Sequence, residues 1–269
     1  MVQSLIGAIT KKILGPHVSA LIVKSEKGLF AVDPEDFGVG RDLRKSGKYG
    51  LDELEKLKPY LTSSSRVLIV GAHVGTLAIP ISKLCKEVVA LEANPATYDL
   101  LTMNIALNSA SNCRGINITV SDKEEDIEFL QNRANSGGSK RVPRVYKYAY
   151  YYDKPKIISV KTVPLDKYLA GERFDVVVMD IEGSEYFALR GMKKILSHCR
   201  LLMVEFLPQH LKDVSGVTVE QFVSVIAPHF SRLTIPTKQQ VVAADGFVPQ
   251  LKTMYNLDQG DAGIIFEKL

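Results

Sequence analysis

The chain contains no tryptophan, and only three of its 269 residues are cysteines. Cys85, Cys113 and Cys199 are widely spaced, no CxxC or Cys/His pair has zinc-site spacing, and the count is odd. That pattern excludes a disulfide framework or a structural zinc site and predicts reduced thiols in a cytoplasmic protein. No stretch approaches the ~18 uncharged apolar residues of a membrane-spanning helix. The opening MVQSLIGAITKKILG lacks the basic start and small-residue cleavage site of a secretory signal. Neither sign of charge dominates: 34 Lys and Arg against 30 Asp and Glu leave a net +4, too mild a surplus to argue for nucleic acid by itself. What remains is 46% hydrophobic and 24% charged, which excludes a disordered chain and fits one large or two small globular domains.

Residues 1–15 place Val2, Leu5, Ile6, Ile9, Ile13 and Leu14 on one helical stripe, read as a helix packed on its own domain. Residues 17–37 alternate as a hairpin turning near Lys27-Gly28, and Asp52 to Leu61 reads as a helix. From there strands and helices alternate. The continuous apolar runs at 65–70, 87–93, 173–181 and 200–206 suit strands buried on both faces of a parallel sheet. A further strand is expected at 116–121, with two final ones at 229–236 and 262–269. Helices are expected at 76–86, from Asn94-Pro95 to about Asn108 with Asn94 as N-cap, near 184–196, and at 217–228. Such alternation specifies a doubly wound, mostly parallel α/β sheet. Residues 1–60 read as an N-terminal helix, hairpin and helix packed on a 61–269 core.

Gly71-Ala72-His73-Val74-Gly75 joins the first core strand to a helix. Glycines there admit a ligand close to the backbone, and the helix start offers unpaired N–H groups. Glu92, at the end of the next strand, is placed to accept hydrogen bonds from both hydroxyls of a ribose. A dinucleotide would need glycine at positions 73 and 76, where this chain has His73 and Thr76. S-adenosyl-L-methionine carries no pyrophosphate and tolerates the looser loop, so it is the cofactor favoured over NAD.

Four blocks carry a family resemblance: GKYGLDELEKL (47–57), VLIVGAHVGTLAIP (67–80), VVALEANPATYDLLTMNIALN (88–108), and SVKTVPLDKYL followed by FDVVVMDIEGSEYFALRGMKKIL (159–169, 174–196). Over residues 28–207 the chain resembles the FkbM family of S-adenosylmethionine-dependent methyltransferases. The resemblance implies a class I (Rossmann-like) methyltransferase fold with a final antiparallel strand, and O-methylation of a hydroxyl on a sugar, lipid or secondary metabolite. It implies that Gly71, Ala72 and Gly75 flank the methionine part of the cofactor; His73, inside the same loop, is a cofactor-contact candidate that could act as a base or simply present its backbone. Glu92 would hold the ribose with Ala93 and Asn94 beside it, Ser121 and Asp122 would lie near the adenine, and Asp180 and Glu182 would face the methyl group and the acceptor. Two positions depart from the family's pattern: Ile69 stands where an acidic residue is usual, and Gly50 follows Tyr49 where Glu is common.

Methyl transfer to a hydroxyl needs alignment and the removal of a proton. Asp180 and Glu182, at the end of the fourth core strand, are the candidate bases, because open α/β sheets bind ligands there. Glu185 reads as an exposed first-turn residue of the next helix. Candidate acceptor contacts are Tyr49, Asn135, Tyr148, Glu205 and His210. Asp180, Glu182 and Glu205 are oxygen donors of a kind hard cations accept, but no ligand spacing demands a metal and none is expected. Residues 131–156 form an insertion rich in basic residues and tyrosines, expected as a substrate lid; Tyr146, Tyr148, Tyr150 and Tyr152 would share one face of an extended chain. A small-molecule or glycan acceptor is the first reading. An RNA methyltransferase and a catalytically inactive cofactor-binding scaffold are the alternatives. Oligomeric state is open.

Overall fold

The structure is a computed structural model describing residues 2–268, with the side chains of residues 2–6 and 8 outside the description. A helix does span Val2–Leu14. Part of its expected apolar stripe (Val2, Leu5 and Ile6) lies outside the described side chains, while Ile9, Ile13 and Leu14 are exposed.

The hairpin expected at 17–37 is β1 (Leu21–Ser25) with β2 (Gly28–Val32). Next come β3 (Arg66–Val70), β4 (Glu87–Glu92), β5 (Cys113–Asn117), β6 (Thr119–Val120), β7 (Glu125–Gln131), β8 (Lys140–Arg141) and β9 (Lys156–Val163). The chain ends with β10 (Val176–Met179), β11 (Leu201–Phe206), β12 (Arg232–Ile235), β13 (Gln240–Ala243) and β14 (Asp261–Glu267). Eight of these form the central sheet, in the order β13-β12-β14-β11-β10-β3-β4-β5. Neighbours from β5 through β11 are parallel. β14 is antiparallel to both β11 and β12, and β13 is antiparallel to β12. This is the class I methyltransferase arrangement, a mostly parallel α/β sheet with a late antiparallel strand.

The apolar runs alternate between the two faces. Leu68, Val70, Val89, Leu91, Val177, Met179 and Leu202 enter one core with Ala188, Leu196 and Phe222. Val67, Ile69, Val88, Ala90, Val176 and Val178 enter the other, against Phe30, Val32, Leu43 and Leu54 of the N-terminal segment and Ile79 and Leu101. Both faces are covered, so every β10 residue is buried and the sequence has no polar positions to mark a face.

Several expectations are corrected. The helix expected at 76–86 is one short turn, Ala78–Ser82. That at 184–196 is two helices, Glu185–Arg190 and Lys193–His198, and that at 217–228 is confined to Val219–Ser224. The strand expected at 116–121 is split: β5 ends at Asn117 in the main sheet, and β6 belongs to a second sheet, β6-β9-β7-β8. That sheet, β13 and the helix Phe247–Asn256 were not anticipated. The helix Pro95–Leu107 starts as expected, with the Asn94 side chain accepting from Ala96 N.

The strand order reverses at β3, which has β4 on one side and β10 on the other. A crevice opens at the carboxyl ends of strands where the order reverses, and the loops bearing Gly71, Glu92 and Asp180 converge there.

Candidate active site

Gly71 takes φ +91°, and a Cβ there would stand 1.8 Å from the Asp180 carbonyl oxygen. Glycine therefore brings the β3 and β10 loops into contact. The backbone N–H groups of Gly71 and Ala72 donate to Leu91 O, fixing this turn against β4. Glu92 is buried, and its two oxygens accept from His73 N and Asn94 N, each at 2.8 Å. Burial pushes its pKa up to about 7, against the pull of those backbone N–H groups.

These loops border a cavity of about 610 Å³. Of the candidate residues, Gly71, Ala72, His73, Glu92, Ala93, Tyr49, Asn135, Asp180 and Glu182 line it. Others sit elsewhere. Gly75 packs against Leu101, and Asn94 caps its helix and accepts from Gln131 Nε2 at 2.7 Å. Ser121 is fully buried and Asp122 pairs with Arg190, and neither lines the cavity. Arg141 stands in front of Ser121, within 3.4 Å of its Oγ and stacked on the Phe187 ring, because β8 crosses there. Thr119 and Val120 border a side niche of only about 30 Å³ instead.

Asp180 lines the cavity with its residue exposed, and its side chain has no hydrogen bond to another described residue. Desolvation at the cavity wall raises its pKa well above the usual carboxylate range, and Glu205, Glu182 and Glu185 push the same way. Glu182, at φ +58°, has Oε2 2.5 Å from Lys140 Nζ and 3.3 Å from His210 Nε2. His210 Nδ1 is 3.0 Å from Glu205 Oε2. Lys140 Nζ has only protons to offer, so His210 Nε2 (3.2 Å away) accepts, and Nδ1–H donates to Glu205. Burial and Lys140 hold the imidazole pKa below its usual value, consistent with that neutral tautomer.

Glu205 and His210 are thus buried behind Glu182 rather than presented to an acceptor, correcting their expected role. Glu185 is corrected too. It is buried, and its Oε1 accepts from Ile181 N and Gly183 N, so it satisfies the loop that carries Glu182. Asp180, Glu182 and Glu205 each bring one oxygen within 4.8 Å of the others, and the buried Lys140 ammonium supplies positive charge to that group.

The insertion at 131–156 is tied down. Asp153 accepts from Arg133 N, Ala134 N and Asn132 Nδ2. Asp213 accepts from Tyr150 Oη and Lys147 Nζ. The tyrosines do not share an extended face: residues 148–151 form a helical turn, Tyr146 stacks on Tyr151, and Tyr148 is exposed outside the cavity lining. Two residues the sequence reading passed over matter most here. Lys140 looks in sequence like one of a run of solvated basic residues, and Ser136 like part of a flexible turn; only long-range pairing brings them inside.

Residues 70–230 match the family of the Methyltransferase FkbM domain, more than half of the chain. The chain belongs to the FkbM methyltransferase family. A probable ribosomal RNA small subunit methyltransferase A from Methanosphaera stadtmanae is 31% identical over 83 residues, 29% of this chain and 30% of that protein. Among solved structures, an FkbM methyltransferase from Methylobacillus flagellatus is 18% identical over 54% of this chain and 33% of its own, with a TM-score of 0.37. A T. thermophilus 16S rRNA methyltransferase in complex with AdoMet and guanosine is 16% identical over 93% of this chain and 50% of its own, at 0.47. The chain thus spans from about a third to a half of the length of these relatives.

FkbM membership implies S-adenosylmethionine. The chain's residues fit it: the Gly71–Ala72 turn keeps backbone rather than side chain at the cavity wall, and a buried carboxylate, Glu92, stands where a diol could donate. Among the described residues no helix is long and apolar enough to cross a membrane.

Proposed function

We propose that this FkbM chain is an S-adenosylmethionine-dependent methyltransferase acting on a hydroxyl of a sugar, lipid or secondary metabolite. The observation that carries the reading is the opening of Glu92 and Asp180 into one cavity from opposite sides of the strand-order reversal. The Gly71–His73 loop and Glu92 hold the cofactor. When bound, S-adenosylmethionine supplies a methyl group on a sulfonium, an electrophile that needs no further activation. Asp180 would hold the acceptor hydroxyl and take its proton. Desolvation and the neighbouring carboxylates raise the pKa of Asp180, which makes it a stronger base than an ordinary aspartate. Glu182 is already paired with Lys140, which supports a role in positioning Asp180 and the acceptor.

The charge of the cavity supports an acceptor without phosphate. Asp42, Asp52, Glu53, Asp180 and Glu182 line it against Lys48, and a polyanion would meet repulsion there. An RNA acceptor remains the second reading, favoured by the likeness of 83 residues to the Methanosphaera protein. The test is calorimetric titration with S-adenosylhomocysteine for the native chain and Glu92→Ala, followed by methyl transfer to hydroxylated metabolites, glycans and an RNA transcript. Micromolar binding lost in the variant, with transfer to a hydroxyl compound, is the expected result. Binding without transfer to any of these would bring the scaffold reading to the front, absence of binding would overturn the cofactor reading, and transfer to RNA alone would establish the second reading.

A further inference from the structure

The helix Val2–Leu14 meets the domain through a glycine. Gly7 is buried, and a Cβ on it would stand 2.3 Å from the Glu35 carbonyl oxygen, so the close approach needs a residue without one. Two residues on is about 200° round an α-helix, so Ile9 points away from that contact, and Ile13 follows on the same side at i+4. Ile9 is 45% exposed and Ile13 80% exposed. In the sequence Val2, Leu5 and Ile6 continue the same stripe. The helix thus turns glycine inward and isoleucine to solvent, the reverse of a helix folded onto its own core.

Charge selects what covers this stripe. Residues 1–25 contain no Asp or Glu, and Lys11, Lys12 and Lys24 are their cationic side chains. Lys12 is exposed and, three residues after Ile9, flanks the stripe. A second copy of this helix would offer those lysines no carboxylate. An anionic bilayer offers a dense negative surface at the depth where apolar side chains enter it. With 13 residues the helix is too short to cross a bilayer but suited to lying in its surface. We propose that the helix Val2–Leu14 docks the chain on an anionic lipid bilayer, with Ile9 and Ile13 entering the acyl boundary and Lys11 and Lys12 at the headgroups. The docking goes beyond the methyl-transfer reading and needs no bound cofactor. Glu35, against which the helix packs, lies in the segment leading to Val39 and Asp42 of the cavity wall, so docked helix and cavity share one stretch of chain.

The test floats the full chain, without cofactor, on vesicles of phosphatidylcholine alone and of phosphatidylcholine mixed with phosphatidylglycerol. The chain should bind the mixed vesicles, and binding should fall about tenfold without the anionic lipid and decline as salt is raised. Ile9→Ser combined with Ile13→Ser should weaken binding about tenfold, and Lys12→Gln about fivefold. Both changes lie at exposed positions and should leave the melting temperature as it is. Because the chain has no tryptophan, Ile13→Trp supplies a single emitter, whose fluorescence should shift to the blue on the mixed vesicles. No binding to the mixed vesicles, equal binding to both kinds, or binding with unmoved emission would overturn the proposal. A native dimer that binds no vesicle and that Ile9→Ser with Ile13→Ser dissociates would overturn it too, and would give the stripe to a second copy.

Discussion

The ammonium of Lys140 sits 2.5 Å from Glu182 Oε2 although it is almost fully enclosed, and it also donates to His210. β8, only two residues long, exists in effect to carry this lysine from the second sheet to the loop after β10. The pair sets the electrostatics of the cavity floor, because Lys140 opposes the carboxylates that raise the pKa of Asp180.

Replacing Lys140 by Met should therefore raise the pKa of Asp180 further. A base must be deprotonated to act, so the acid limb of the rate–pH profile should move to higher pH, by about one unit. The same change leaves Glu182 without its partner and should lower stability by about 3 kcal/mol, read from denaturant unfolding. An unmoved acid limb would show that Lys140 does not act on the base.

Asp180→Asn keeps the shape of the side chain and removes its basicity. The turnover rate should fall by about 10²–10⁴, while affinity for S-adenosylhomocysteine stays within about threefold. Retention of native turnover would transfer the base role away from Asp180.

Affinity for S-adenosylhomocysteine should rise with pH through about 7, the value to which burial pushes Glu92. The protonated carboxyl accepts hydroxyl donors less well than the carboxylate, so binding strengthens as the proton leaves. Titrations between about pH 5.5 and 8.5 should show this slope in the native chain, and Glu92→Ala should abolish both the slope and most of the binding.

Gly71→Ala should be among the most damaging substitutions of a small residue. The new Cβ would sit 1.8 Å from the Asp180 carbonyl oxygen at a positive φ, so the β3 and β10 loops must separate. A stability loss of at least about 2 kcal/mol, seen as a lower melting temperature, together with lost cofactor binding, is expected. The contrasting control is Gly171→Ala, which has a positive φ but open space around it and should leave binding intact.

The parallel half of the sheet was legible because β3, β4, β10 and β11 are short apolar runs buried on both faces. The second sheet was not. β7 and β9 present charged residues such as Glu125, Asp126 and Lys161 and pair across a long insertion, so their sequences read as loop. At the site, Gly71, Glu92 and Asp180 were legible because strand ends in an open α/β sheet carry the ligand groups. Lys140 was not, since a lysine enclosed by long-range pairing has no local mark. Ser121 and Asp122 came from the family resemblance, and the chain switches into β6 beyond Asn117, so neither lines the cavity.

The placement of β14 between β11 and β12 has a consequence for assembly. β12 and β13 pair with each other, but β14 alone links them to the rest of the sheet. During synthesis, residues 232–243 leave the ribosome before residues 261–267, so the β12–β13 hairpin waits without a neighbour on its β12 side. A nascent chain arrested before residue 261 should hold the parallel core folded while this hairpin stays sensitive to protease. Release of residues 261–267 should then protect all of it in one step.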